Sequence, residues 1–195
     1  MPIQDVLARV ATTYLNGLPL RTGDLIFTVS CNREAFAGEF WLLLGRMIPS
    51  EVDHVAIYVG PGGRCVEAGA LGEVISFEIG HRWDGPLMAE QRGMTDRLFG
   101  IADPLEGRGI PPQRAQEIRR QVADYCLRQL GKPFNVNFTD PHTEDAFYSS
   151  QLAYKAYLPH GIDFNLGRSI PGFDASHRIV FPQEVWDACS MRALM

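Results

Sequence analysis

The chain has no Cys-x-x-Cys pair: its four cysteines, Cys31, Cys65, Cys126 and Cys189, are irregularly spaced, which argues against structural zinc. No run approaches the roughly 20 apolar residues that cross a bilayer, and the most apolar stretch, "FWLLLGRMI", is too short, so no transmembrane segment is expected. A long Lys/Arg block is also missing. With 18 Lys+Arg against 23 Asp+Glu and a net charge of −5, the clustered positive charge needed on a phosphate backbone is lacking, and no nucleic-acid partner is expected. The start, "MPIQDVLARVATTYLNG", lacks the basic flank, uninterrupted apolar core and small-residue cleavage site of a secretory signal. With unpaired cysteines this predicts reduced thiols and a cytoplasmic protein. There is no internal repeat and no low-complexity linker. A chain of 195 residues, 46% hydrophobic and 21% charged, therefore reads as one soluble domain over 1–195.

What is present is a mixture of short strands and helices. "PIQDVLARVATTYLNG" reads as a helix closed by Gly17, and "REAFAGEFWLLLGRM" has apolar residues at helical spacing. "GDLIFTV", "DHVAIYVG", "RCVEAG", "EVISFEI", "DRLFGIAD" and "HRIVFP" read as strands, and "GPGGR" makes the second and third an antiparallel hairpin. "PPQRAQEIRRQVADYCLRQLG" is the clearest helix, with prolines at its start and Gly131 at its end. "DAFYSSQLAYKAYL" and a terminal "PQEVWDACSMRAL" are further helices. Hairpins plus separate helices predict an α+β fold, an antiparallel sheet with helices packed on it.

Three residues stand out chemically. His54 opens an alternating strand and, by period two, shares a face with Ala56 and Tyr58; it is either a general base, titrating near neutrality, or an ordinary strand histidine. Glu67 sits in a strand that disfavours it, across a hairpin from His54; it either accepts the ring N–H or lies on a wet face. Ser149 falls near a helix N-terminus, where the dipole and orphan N–H groups favour an anion or oxyanion, but where serine is also a common cap.

In order and spacing, "GDLIF", "DHVAIYVG", "VEA", "GKPF" and "FYSSQLAYKAY", with a terminal "FPQEVW", resemble the circularly permuted NlpC-like cysteine peptidases, the YiiX/YebB-like branch of the papain-like fold. The resemblance runs from about Gly23 to Tyr157. It implies a permuted papain-like fold in which the histidine strand precedes the nucleophile helix. It places the base on His54, the acidic third member on Glu67 and the nucleophile on Ser149. The family's Tyr-Cys-Ser-Glu-Leu reads Tyr148-Ser149-Ser150-Gln151-Leu152 here, so serine stands where the family has its sulfur. Either this is an introduced change, or the chain is a serine variant or an inactive relative. A hydroxyl is not ionised as a thiol is, so weak or no activity is expected as written.

The implied chemistry is hydrolysis of an amide, in a peptide or isopeptide, with no metal or organic cofactor. Two rivals stand beside it. One is acyl transfer or thioester cleavage on a lipid-like substrate, with "FWLLLGRM" lining a groove. The other is a non-catalytic module that binds peptides in the same cleft. None of the four cysteines reads as a replacement nucleophile; Cys65 is nearest, on the face of Glu67.

Overall fold

Two strands stand where the first helix is expected. In the computed structural model, which describes residues 9–31, 50–170 and 172–194, Thr12–Leu15 (β1) and Leu18–Arg21 (β2) form an antiparallel hairpin. Its turn is Asn16-Gly17, at φ 49° and 84°, a conformation this pair adopts at little cost. Thr12 and Thr13 are β-branched and favour extended backbone. The start of the expected helix, and all of "REAFAGEFWLLLGRM", lie outside the described residues.

The alternating runs become Leu25–Ser30 (β3), His54–Gly60 (β4), Arg64–Ala68 (β5), Val74–Glu78 (β6) and Asp96–Asp103 (β7). With Met191–Leu194 (β8) they form one six-stranded antiparallel sheet in the order β6-β5-β4-β3-β7-β8. The fold is α+β, as the sequence predicts. Every residue of β4 is buried, because the sheet is covered on both faces and its central strands read as near-continuous apolar runs.

Each face meets a different layer. Leu25, Phe27, Val55, Ile57, Val66 and Ala68 pack against helices Pro112–Arg128, Ser149–Tyr157 and Pro182–Asp187. Ile26, Ala56, Tyr58, Cys65 and Phe77 face the β1–β2 hairpin and helix Gly85–Arg92. In chain order these helices are α1 (Gly85–Arg92), α2 (Pro112–Arg128), α3 (Ser149–Tyr157) and α4 (Pro182–Asp187). The first has complete end signals: the Asp84 carboxylate accepts from Leu87 N at 3.0 Å, Pro86 lies in the first turn, and Gly93 closes it at φ 68°.

The C-terminal expectations need two corrections. "HRIVFP" is not a strand: Asp174–Arg178 is a 3₁₀ turn, and Val180 bonds to residues around the start of α3 instead of a ladder. The terminal helix stops at Asp187, and Met191–Leu194 returns as β8 to pair with β7, a long-range contact that outweighs the local helix preference of "MRAL". Gly100 permits this closure, since a Cβ there would lie 2.5 Å from the Ala193 carbonyl oxygen and 2.8 Å from the Trp186 ring. Gly100→Ala is accordingly expected to lower stability by about 1–3 kcal/mol in urea unfolding, the usual cost of overpacking; an unchanged midpoint would contradict β8 pairing.

Candidate catalytic site

His54 and Glu67 come together as neighbours across β4 and β5. The hairpin register pairs Ile57 with Val66, and alternation then turns Glu67 to the Cys65 face, where its Oε2 lies 2.8 Å from His54 Nε2. Both side chains are buried. Burial alone would raise the Glu67 carboxyl, but His54 and Arg92 overcompensate and hold it at about 2. An ionised carboxylate only accepts, so Nε2 carries the proton in this bond.

Arg92, the last residue of α1, has no reading in the sequence analysis. It is fully buried, with Nε 3.0 Å from each Glu67 oxygen and Nη2 2.8 Å from Oε2. Its Nη1 donates to Asp96 Oδ1 at 2.9 Å, and the guanidinium stacks 4.8 Å from the Phe77 ring centroid and 5.1 Å from that of Trp83. Asp84, Pro86 and Gly93 could have announced the helix; nothing local announces that its last arginine is buried. Gly69 lies against the same group, since a Cβ there would sit 2.9 Å from Glu67 Oε1 and 3.5 Å from His54 Cε1.

Ser149 is the first residue of α3, but it is not the cap. Tyr148 holds that position, and its backbone N–H donates to Gln151 Oε1 at 3.2 Å. Ser150 is committed elsewhere: it is fully buried and its hydroxyl donates to the Val180 carbonyl at 2.7 Å, whereas Ser149 keeps 7% exposure. Gln151 is a fitted amide. Its oxygen accepts from Asn135 Nδ2 at 2.9 Å while its nitrogen reaches the Asp140 and Thr143 carbonyls, each at 3.4 Å, and a glutamate would turn a carboxylate onto those carbonyls.

Two chains of contacts tie α3 to the sheet. At the far end of α3 the Tyr157 hydroxyl donates to the Gly23 carbonyl, and Gly23 N donates to the Tyr58 carbonyl at 2.7 Å. At the near end, Phe147 pairs with Phe134, Phe134 N donates to the Gly72 carbonyl at 2.7 Å, and Gly72 N donates to Gly69 at 3.0 Å. The helix layer and the His54–Glu67 layer cover opposite faces of the sheet.

Other reactive groups lie elsewhere. Burial pushes the Cys65 thiol well above its ordinary value and those of Cys126 and Cys189 to about 12, while Cys31 is exposed. His81, His142 and His177 are exposed. Arg119 of "EIRRQ" is buried at the opposite end, bonded to Asp24 at 2.6 Å and Asp103 at 2.7 Å.

No family model matches the chain, and no curated protein matches it. Among solved structures, the metalloprotein YiiX from Escherichia coli O157:H7 superposes with a TM-score of 0.58 at 19% identity, over 89% of this chain and 95% of that one. The chain has a YiiX-like fold. At this identity the likeness concerns the fold alone. Among the described residues no three His, Cys, Asp or Glu side chains converge to hold a metal ion. His54 Nε2 and both Glu67 oxygens are already engaged, the latter by a cation, so these residues do not fit a metal centre. Among the described residues, too, no helix is long and apolar enough to cross a membrane.

Glu67→Gln is expected to cost about 3 kcal/mol at neutral pH, because Arg92 keeps its buried charge but loses one carboxylate. The folded value of about 2 lies below the ordinary 4.5, so this contribution is complete above 4.5 and lost as pH falls toward 2. In urea unfolding the parent–variant gap should stay level above about pH 5 and close toward pH 2. A gap unchanged at the acid end would contradict an ionised Glu67.

Proposed function

We propose that the chain is a circularly permuted papain-like hydrolase of the NlpC-like kind, acting on amide bonds in peptides or isopeptides, with Ser149 in the nucleophile seat. The observation that carries this reading is the buried hydrogen bond between His54 and Glu67. A base oriented by a carboxylate, beside a nucleophile in the first turn of a helix, is the arrangement that acyl transfer needs.

The residues then act in order. The position-149 side chain attacks the carbonyl carbon, and its proton passes to His54 Nδ1. Glu67 keeps the ring in the Nε2–H tautomer and stabilises the imidazolium. The Ser149 N–H, one of the orphan donors of the α3 N-terminus, stabilises the tetrahedral oxyanion. Collapse breaks the C–N bond as His54 returns the proton to the leaving amine, and water then hydrolyses the acyl-enzyme with His54 again as base.

Serine makes this a weak form of the site. A thiol at a helix N-terminus beside an imidazole ionises; a hydroxyl must be deprotonated during attack. The YiiX structure is described as a metalloprotein, but the His54–Glu67–Arg92 contacts leave no place for a metal here, and no step is routed through one.

In a Cys31→Ser background, which removes the exposed thiol, Ser149→Cys should become labelled by an electrophilic thiol probe that leaves the Ser149 parent unmodified. Adding His54→Ala should slow labelling about 100-fold or more at neutral pH. Equal labelling with and without His54 would remove it as the base.

A further inference from the structure

The Glu67 carboxylate serves two groups at once, the His54 ring and the Arg92 guanidinium, and this creates an electrostatic conflict. A guanidinium forked onto both oxygens cancels most of the negative charge that an orienting carboxylate supplies to an imidazole. Asp96 resolves it. It lies at the start of β7 and takes the opposite end of the same guanidinium, Nη1 standing 2.9 Å from both Oδ1 and Oδ2. All three side chains are buried.

We propose that Arg92 and Asp96 are positioning residues for His54: Arg92 locks the Glu67 carboxylate in place, and Asp96 restores the negative charge that Arg92 takes away. With His54 neutral, the chain His54–Glu67–Arg92–Asp96 carries one net negative charge; with His54 protonated it is neutral. Asp96 thus supplies the charge that balances the imidazolium that amide attack must form.

Among the described residues, Tyr58 shares the face of His54 two alternations along β4. On β5, Cys65 shares the face and burial keeps its thiol protonated. On β3, Thr28 stands opposite His54 and carries no charge. Asp53, next in the chain, accepts from Ser30 N at 3.1 Å. β6 contributes Phe77 and the β1–β2 hairpin Leu15 and Leu20, all apolar. Arg92 is also held by Met94 Sδ, 3.3 Å from Nη2, and by its two aromatic neighbours, so its fork has a fixed orientation that a lysine ammonium cannot reproduce.

The proposal rests on His54 acting as the base, but its test reads the ring directly and needs no turnover. NMR titration of the His54 ring nitrogens in the parent should show Nε2–H as the neutral tautomer. Asp96→Asn, nearly isosteric, should move the His54 titration midpoint down by about one pH unit. Arg92→Lys should mix the neutral tautomers while moving the midpoint less. Asp24→Asn, in the other buried cluster, should leave both readouts unchanged. A midpoint within about 0.2 units of the parent in a folded Asp96→Asn protein would overturn the charge-balancing role. If Asp96→Asn does not fold, a single Nε2–H tautomer persisting in Arg92→Lys overturns the proposal. Should the titrations behave as stated while the thiol probe labels independently of His54, the hydrolase reading fails and the charge relay stands.

Discussion

The buried ion pair between Glu67 and Arg92 is the contact on which the His54 end of the sheet depends. Glu67 sits in the middle of a sheet hairpin with no access to water, where an unpaired carboxylate would be protonated or the hairpin would open. Arg92 prevents both, and it can do so only if α1 docks with its C-terminal turn against β5 and β6. The Asp84 cap and the left-handed Gly93 fix where that helix begins and ends, so they set the depth at which Arg92 arrives. The space left over is small: Gly69 could not carry a methyl group without pressing on the Glu67 carboxylate. The orientation of His54 is thus a consequence of how one short helix is capped.

A second set of buried charges holds the other end. Arg119 of α2 bridges Asp24 and Asp103, and Arg21 also reaches Asp103, which ties β2, β3, β7 and α2 into one cluster. Burial pushes the Asp24 carboxyl up to about 6 even though Arg119 draws it down. Beside it, the Tyr157 hydroxyl anchors the end of α3 to Gly23. At the start of α3, Tyr148 and Ser150 both hold Val180. A helix pinned at both ends cannot slide along the sheet, and Ser149 is held in its first turn.

Much of this was legible in the sequence, for identifiable reasons. β3 to β7 announce themselves because period-two alternation and apolar runs are local properties, and α2 because its prolines and Gly131 punctuate a strong 3.6-residue period. The His54–Glu67 contact follows from a tight turn between two readable strands. The β1–β2 hairpin was misread because its Asn-Gly turn looks like a helix stop when the apolar spacing before it is taken as helical. β8 was misread because an edge pairing is decided by the strand waiting for it, not by its own residues. Arg92 and Asp96 could not be read at all: arginine is ordinarily a surface residue, and only the docking of α1 makes it a buried partner.

Serine at position 149 and the charge cluster behind His54 pull in different directions. A thiolate–imidazolium pair is a resting state, so a cluster that favours the protonated ring stores that pair before substrate arrives. A hydroxyl offers no such resting pair. In the proposed reaction its proton reaches the imidazole only as the carbonyl is attacked. On the proposed assignment, the cluster of Glu67, Arg92 and Asp96 suits a cysteine at position 149 better than a serine, beyond the difference in intrinsic nucleophilicity.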